Sequence, residues 1–319
     1  MVLFSGTQAV AAILPEERAD ILYHSYDGGG VTVDGPSLLV RKNFADRVSL
    51  KANYYVDHVT SASIDVLATA SAYTEERREF SLGMDYLYNK TVLSLNYTNS
   101  EESDYSAQTA SFGISQDFFG DLSNISISYG VSQDEVRNNT NPDFQEPVDR
   151  RSIAISYNQI LTKHWTANIM AQTIVDEGFL NNPYRSVRYL DPGSAVGYSY
   201  QPEVYPNTRN SDAVAIRTKY YLPWRAAFMA EYRYFNDSWG IKARNAEVRY
   251  THPFNFGLTL EVRYRSYTQN AADFYSDLFP YEDAQNFMAR DKELSTYTNQ
   301  TYGIGLKYEF RIAGLKFIE

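Results

Sequence analysis

The tetrapeptide Glu-Val-Arg-Tyr occurs twice within a short stretch, at residues 247–250 and 261–264. Alternate side chains of an extended chain point to opposite faces, so Glu247 and Arg249 share one face while valine and tyrosine occupy the other. Rows of carboxylates and guanidinium groups on adjacent strands can form a network of ion pairs that rigidifies a sheet. They can also create the field of a pore constriction that selects small polar or charged solutes. The spacing is compatible with both roles.

The same alternation continues through the neighbouring segments 211–222, 225–236 and 296–311. In each segment, Arg, Lys or Glu residues alternate with large apolar or aromatic residues. A charged side chain that faces lipid costs about 2–4 kcal/mol at the centre of a membrane, so we expect the charged face to point into a wet interior. The predicted lumen-lining residues are Arg217, Lys219, Glu231, Arg233, Glu247, Arg249, Glu261, Arg263, Arg265, Lys307 and Glu309.

Histidine is the side chain most often used as a general base, and the sequence has four: His24, His58, His164 and His252. Asp57 precedes His58 near the outer end of a predicted strand, where barrel proteases keep Asp/His pairs, but adjacent strand residues point to opposite faces. His164 and His252 are expected at short turns, in structural roles. His24 stays open as part of a lipase-like Ser–His pair, although no spacing supports it. We therefore predict no catalytic residue, and an enzyme is the last of three hypotheses.

The composition argues against several other classes of function. The chain has no cysteine, which excludes a thiolate nucleophile, a thiolate metal site and a disulfide framework. Its net charge of −10 argues against a nucleic-acid-binding protein, which normally presents a basic face. Neither a phosphate-binding glycine loop nor a zinc-binding His-Glu-x-x-His motif occurs in the sequence. We expect no metal ion and no cofactor.

Strict alternation of apolar and polar residues recurs along the chain and predicts an all-β fold. No apolar run approaches the roughly 18–20 residues that a membrane-spanning helix needs. In the N-terminal half, the polar face consists mostly of Ser, Gly, Asn and Thr, as at 94–98 and 126–132. We therefore predict that one wall of the lumen is small and neutral, and that the opposite wall is a lattice of charges.

The connections between predicted strands are of two kinds, and the two kinds alternate. The short ones lie near 44–47, 89–90, 120–123, 162–164, 223–225, 252–257 and 311–313. The long ones lie at 59–77, 136–149, 177–210 and 270–295, with shorter members of the same kind near 100–104 and 237–240. This alternation is typical of an outer-membrane β-barrel, which has short periplasmic turns and long extracellular loops.

The pattern predicts an antiparallel transmembrane β-barrel of about 14–16 strands over residues 19–319. About 14 strands end near Arg311, and a further strand begins where the sequence stops, so we expect the C-terminus to be truncated and the complete barrel to have about 16 strands. Residues 1–18 are predicted to be a signal-peptide remnant or a disordered arm, since an apolar stretch precedes a small-residue site that resembles a cleavage site.

Loops 177–210 and 270–295 are rich in aromatic residues, Pro and Asn, which is unusual for a floppy connection. They either fold over the mouth or into the lumen as a plug, or pack on one another at the surface. The carboxylates of the second loop suit Ca²⁺ or a bridge to lipopolysaccharide only weakly, because no calcium-loop pattern is present. The candidate polar contacts of a plug are Arg185, Arg188, Asp273, Asp277, Glu282 and Asp283.

Several collinear segments resemble a bacterial family of unknown function, DUF3570. They are "YDGGGVTVDGPSLLVRKNFADRVSLKANYYVDHVTSASIDV" (26–66), "YTEERREFSLGMDYL" (73–87), "TNSEESDY" (98–105), "DEGFLNNPYRSVRYLDP" (176–192), "EVYPNTRNSDAVAIR" (203–217) and "ADFYSDLFPYEDAQNFMARDKELSTY" (272–297). The resemblance implies an exported, outer-membrane β-barrel that extends beyond the end of this chain. It implies no catalytic residue, and it places members near genes for thioredoxin-like proteins and a flavin transferase.

Three functions follow as hypotheses. The first is a porin-like conduit, passive or gated, for small polar solutes in the outer membrane of a Gram-negative bacterium. The second is a closed scaffolding barrel that docks a periplasmic or surface partner, with a redox link. The third is the outer-membrane enzyme. In each case we expect outer-membrane lipid, lipopolysaccharide and the barrel-assembly machinery as partners.

Overall fold

Fifteen antiparallel strands form one sheet in a computed structural model that describes residues 13–28, 31–61, 73–312 and 315–318. Each strand pairs with the strands before and after it in the sheet, and a separate two-stranded hairpin interrupts the series after the ninth strand. The strands are β1 (Arg18–Gly28), β2 (Val31–Phe44), β3 (Val48–Ser61), β4 (Tyr73–Tyr88), β5 (Thr91–Glu101), β6 (Tyr105–Phe118), β7 (Ser123–Arg137), β8 (Gln145–Thr162), β9 (Trp165–Gly178), the hairpin β10 (Ser186–Leu190) and β11 (Tyr198–Pro202), then β12 (Thr208–Tyr221), β13 (Ala227–Asp237), β14 (Lys242–Pro253), β15 (Leu258–Gln269), β16 (Tyr297–Ile312) and β17 (Leu315–Ile318).

The connections alternate as predicted. One end of the sheet, which we call the turn end, carries short turns at 45–47, 89–90, 119–122, 163–164, 222–226 and 254–257. The other, the loop end, carries the described connections 102–104, 138–144, 179–207, 238–241 and 270–296. Tight reversals at the turn end use residues with positive φ, such as Asn89 at 54°. Most of the long predicted loop at 59–77 falls on residues 62–72, which lie outside the described residues.

Large apolar side chains stand exposed on one face of the sheet, which we call the outer face. Ile127 is 41% exposed, Val214 is 52% exposed, and similar side chains recur on the strands between them. A soluble sandwich would bury this face against a second sheet, because apolar surface is driven out of water at about 25 cal/mol per Å². The exposed outer face is typical of a sheet that meets lipid.

Fourteen strands end at Ile312 and β17 follows, so the predicted fold class and strand count are confirmed. The sheet begins at Arg18, next to the predicted start at residue 19. Residues 1–12 lie outside the described residues, and the signal-peptide prediction falls mostly on them. The two edges of the sheet, β1 and β17, form no ladder with each other among the described residues.

The described part of the chain holds no helix with the length and apolar content that a membrane span requires. Its one helix is a single 3₁₀ turn, Lys292–Leu294, in the last long loop. The Asp291 side chain caps this turn by accepting a hydrogen bond from the backbone of Glu293.

The apolar core lies at the loop end, in a unit that we call the lid, formed by residues 179–207 and 270–296. One cluster joins Tyr205, Trp239, Ile241, Ala272, Phe274, Ala289 and Leu294. A second cluster joins Val187, Phe279 and Met288, all of them fully buried. Backbone bridges between Val204 and Met288 and between Tyr189 and Phe279 join the two loops. The lid therefore has the smaller cluster to itself and shares the larger one with Trp239 and Ile241 of the connection 238–241.

Candidate functional site

The eleven predicted lumen-lining residues all lie on the face of β12–β16 opposite the exposed apolar side chains. We call this side of the sheet the inner face, and its part on β12–β16 the charged wall. On β12, for example, Arg217 and Lys219 alternate with the exposed Ile216 and Tyr220. The period of two in the sequence is the reason, since it places every second side chain of a strand on the same face.

All four carboxylates among these eleven residues are paired. Arg217 donates to Glu231 on the next strand at 2.5 Å. Arg249 contacts Glu247 at 2.9 Å and Glu261 at 3.5 Å. Near the turn end, Lys307 contacts Glu309 at 2.9 Å.

Cations of the charged wall outnumber its carboxylates. Seven of the eleven residues are Arg or Lys and four are Glu, so the wall carries a formal charge of +3 within a chain of net charge −10. Lys219, Arg233 and Arg263 make no hydrogen bond or ion pair with any residue that the structure describes. Arg265 has no carboxylate partner among the described residues; it donates to the Asn245 side chain at 2.5 Å and lies 5.6 Å from the centre of the Tyr267 ring.

The inner face of β5–β8 is the small-residue wall, with serine, threonine, asparagine and glycine at its middle levels. Ser115 and Ser126 are hydrogen-bonded at 3.0 Å, and Thr109 and Ser132 at 2.9 Å. The prediction of a neutral N-terminal wall is correct here but wrong for β2–β4, where Arg41 reaches across β3 to Asp85 at 2.9 Å. It is also wrong near the strand ends, where Arg150 and Asp176 form an ion pair at 2.6 Å.

The structure brings His24 to Asp57, a contact that the sequence analysis missed. The His24 Nε2 atom lies 2.8 Å from Asp57 Oδ1 and 3.1 Å from the Tyr55 hydroxyl, and its ring stacks on that of Tyr55. His24 is on β1 and its two partners are on β3, so the side chain crosses β2 at Gly35. A Cβ at Gly35 would lie 1.9 Å from the carbonyl oxygen of residue 56, so only glycine fits there.

The other histidines lie where the sequence placed them. His58 points to the outer face and contacts Glu76 at 3.0 Å, so it cannot pair with Asp57 on the inner face. His164 lies in the turn 163–164, and His252 lies just before the turn 254–257.

The His24 cluster has a base and a carboxylate, with Tyr55 as the only hydroxyl bonded to His24 among the described residues. A Ser–His pair, as a lipase would need, is not formed there. No group of three or more His, Asp or Glu side chains in the described ranges is arranged to hold a metal ion.

A buried carboxylate ties the two loops of the lid together. Glu203 is 5% exposed, accepts a hydrogen bond from the backbone of Arg290 at 2.7 Å, and accepts another from the Tyr205 hydroxyl at 2.6 Å. Burial raises the pKa of Glu203 above its ordinary value, and these hydrogen bonds offset part of that rise.

Four of the six predicted plug residues make side-chain contacts within the lid. Arg185 lies 3.4 Å from Asp291, and the Arg188 guanidinium lies 5.0 Å from the centre of the Tyr198 ring. Asp277 accepts a hydrogen bond from Lys292, which lowers the pKa of Asp277. Asp283 and Gln201 exchange two hydrogen bonds, at 3.0 and 3.1 Å, across the two loops.

The remaining two predicted plug residues, Asp273 and Glu282, are exposed on the lid. Residues 270–296 contain six carboxylates and two cations, and residues 179–207 contain two of each. The lid therefore carries a formal charge of −4, opposite in sign to the charged wall.

The lid is seated on the charged wall. Gln269, an inner-face residue at the end of β15, donates from its side chain to the carbonyls of Glu293 and Ser295, both at 2.8 Å. Phe235, also on the inner face, packs against the larger apolar cluster. The two loops therefore pack on one another, and they also contact the inner face at the loop ends of β13 and β15.

Comparisons with known proteins agree on family and fold. The model of the family described as "Protein of unknown function (DUF3570)" matches residues 141–317. The siderophore receptor PirA from Pseudomonas aeruginosa superposes with a TM-score of 0.50 at 9% identity, over 92% of this chain and 52% of the receptor. The unliganded ferric citrate transporter FecA gives a TM-score of 0.48 at 13% identity, over 91% of this chain and 50% of FecA. No curated protein matches the chain in sequence.

This chain thus spans about half the length of these two solved structures. At such low identity the likeness to PirA is one of fold. Together with the all-antiparallel sheet and its exposed apolar face, it identifies the architecture as that of an outer-membrane β-barrel.

Proposed function

This chain belongs to the DUF3570 family, and we propose that it is an outer-membrane protein that conducts small polar solutes along its charged wall. The outer-membrane location is supported by the exposed apolar outer face, by the alternation of short turns with long loops, and by the fold shared with PirA. An apolar face of this extent would drive association in water, whereas lipid accommodates it without cost.

The observation that carries the proposal is the set of unpartnered cations on the inner face. Lys219, Arg233 and Arg263 have no hydrogen-bonding or ionic partner among the described residues. Burying an unpaired charge in a dry interior costs several kcal/mol, so these side chains need water. A water-filled interior lined by charges is a route for polar solutes and not for apolar ones.

The lid defines where such a route is controlled. It lies at the loop end and contacts the same wall that carries the unpartnered cations. The smaller buried cluster and the backbone bridges join its two loops, so that they would move together, as a gate would.

Conductance across a planar lipid bilayer tests the proposal with the full-length protein. We expect stepwise currents, and we expect the double variant Arg249→Glu and Arg263→Glu to shift the ion preference towards cations because it changes the wall by four charge units. Arg151→Glu is the control, since Arg151 is exposed on the outer face and should leave the preference unchanged. The absence of any current, with the barrel shown to be folded by circular dichroism, would overturn the proposal.

The lid also supports a second candidate, a closed scaffold. A folded surface unit with its own core suits the docking of another protein better than an unstructured loop does. A scaffold predicts no current from the wild type or from a variant with an opened lid, together with one partner that co-purifies in fixed proportion. Current through the wild type would exclude it.

The contact between His24 and Asp57 is the only observation that favours an enzyme, which ranks third. Hydrolysis assays on phospholipid and peptide substrates, with His24→Ala and with His58→Ala as the matched control, decide this. Hydrolysis lost in His24→Ala alone would replace the conduit as the leading function.

A further inference from the structure

We infer that the charged wall contains a binding site for small oxyanions, formed by Lys219, Arg249 and Arg263. This inference rests on the proposed function, because it names the class of solute that the conduit selects. Inorganic phosphate and small carboxylates belong to this class.

The strand register places the three cations in one row across the wall. Lys219 is paired with Met229, Met229 with Arg249, and Arg249 with Arg263. The arginines therefore stand directly opposite each other on neighbouring strands. Side chains in this position have Cβ atoms about 5 Å apart, and like charges there repel each other. An anion between them removes the repulsion and gains two charge-assisted contacts.

The carboxylates of the wall pair with only one member of this row. Glu247, on the same strand, and Glu261, two residues from Arg263 on β15, both contact Arg249. Neither of them contacts Arg263 or Lys219 within the range of an ion pair. The next row of paired inner-face residues is different, because its cation Arg217 forms an ion pair with Glu231.

The strand beside Arg263 leaves space at this row. The residue opposite Arg263 on β16 is Gly303, and the next inner-face residue, opposite Glu261, is Gly305. A Cβ built on Gly303 would lie 3.6 Å from the Nε atom of Arg263, so the guanidinium extends over a position without a side chain. No bulky group of β16 therefore covers the row at Gly303 and Gly305.

The donor set suits an anion with several oxygens. A guanidinium group presents parallel N–H donors that match a carboxylate or a phosphate in a bidentate way, and a lysine ammonium adds a compact charge. A single halide ion uses fewer of these donors. We therefore expect oxyanions to bind more tightly than chloride and to slow its passage.

The test combines selectivity and block in planar bilayers. Reversal potentials in a KCl gradient should show a preference for chloride, and inorganic phosphate should reduce the chloride current. In the double variant Lys219→Gln and Arg263→Gln, we expect the preference to fall to near unity and the concentration of phosphate for half block to rise at least tenfold. The matched control Arg151→Gln and Lys242→Gln removes two cations from the outer face and should behave like the wild type.

Arg263→Lys separates charge from geometry. It keeps the charge but loses the bidentate donor pair, so chloride preference should persist while phosphate block weakens. Equal block in this variant and in the wild type would show that no oxyanion geometry is recognised, and would overturn the inference.

The outcomes distinguish the inference from the proposed function. A current that shows neither anion preference nor block by phosphate would overturn the inferred anion site, but it would remain consistent with the proposed conduit. If no current flows, equilibrium dialysis of phosphate against the detergent-solubilised barrel decides the site separately. Binding that the Lys219→Gln and Arg263→Gln variant loses upholds the site in a closed barrel, and no binding to the wild type overturns it.

Discussion

The charged wall and the small-residue wall belong to one sheet, but they satisfy their polar groups in different ways. On the small-residue wall, short side chains bond to one another and are shielded by their neighbours, so that Ser132 is 7% exposed and Asn158 is 5% exposed. On the charged wall, long side chains project away from the sheet, and those of Arg249 and Glu261 remain 34% and 39% exposed. The inner face is therefore lined by short, mutually bonded side chains on one wall and by projecting charged side chains on the other.

The two walls are therefore expected to contribute differently to the stability of the sheet. Hydrogen bonds such as that between Thr109 and Ser132 each contribute about 0.5–1.5 kcal/mol to stability and hold neighbouring strands in register. The ion pairs of the charged wall are partly exposed and contribute about 0–1 kcal/mol each. The hydrogen bonds of the first wall are thus expected to contribute more to stability, one for one, than the ion pairs of the second. The lid contacts the second wall through Gln269 and Phe235, and it also contacts β8 and the connection 138–144 through Phe179 and Tyr184.

The largest effect that bears on this comparison is expected in the lid. Phe279 is 1% exposed within the smaller apolar cluster, so Phe279→Ala should destabilise the lid by about 3–5 kcal/mol. Hydrogen exchange should accelerate in residues 186–202 and 274–294 and stay unchanged in β5–β8. Tyr281→Ala is the control, because Tyr281 is 60% exposed. Faster exchange throughout the sheet would contradict the lid as an independent unit.

The second effect is a dependence of the lid on pH. Because the pKa of Glu203 is raised in the folded lid, the folded state binds more protons than the unfolded state above the ordinary value of 4.5. The stability of the lid should therefore be greatest below pH 4.5 and decrease as the pH rises through the raised pKa. Asp277, whose pKa is lowered, acts only below its ordinary value of 3.8 and is largely exposed.

Hydrogen exchange of the lid, corrected for intrinsic rates at each pH, measures this dependence. Glu203→Gln keeps an acceptor for the backbone of Arg290 and should remove the dependence. A lid that is equally protected from pH 4 to pH 7 in the wild type would show that burial of Glu203 has no such consequence.

The smallest effect is expected on the small-residue wall. Thr109→Val removes one hydrogen bond to Ser132 and should lower the free energy of unfolding by about 1 kcal/mol. It should leave ion preference unchanged, since no charge is altered. Denaturant unfolding and bilayer currents measure the two quantities, and a changed preference would contradict the proposed role of the charged wall in ion selection.

The local features of the fold were predictable from the sequence, and its long-range contacts were not. Alternation of side chains has a period of two residues, so Glu247, Arg249 and their neighbours could be assigned to one face without knowledge of their partners. The order of short and long connections is equally local. By contrast, His24 meets Asp57 only because β1, β2 and β3 pair in a register that brings the two residues to either side of Gly35. That register cannot be inferred from any one segment.

The contacts within the lid could not be predicted from the sequence either. Val187 and Phe279 are separated by many residues in sequence and lie in loops whose internal spacing carries no period. Their aromatic content suggested folded loops, but not which side chains meet. Glu203 was missed for the same reason, because only the packing of both loops buries it. The prediction of a neutral N-terminal wall was wrong for Arg41 and Asp85. The segments 94–98 and 126–132 on β5 and β7 are neutral, but β2 and β4 carry charges on the same face.

The lid at the loop end carries a formal charge of −4, and the wall beneath it carries +3. Fixed charges of opposite sign placed in series along a narrow electrolyte path form the ionic counterpart of a semiconductor junction. Mobile ions accumulate at the junction under one polarity of voltage and are depleted under the other. A conducting barrel built in this way rectifies, and its current–voltage curve bends in a direction set by which end of the molecule faces the cell exterior.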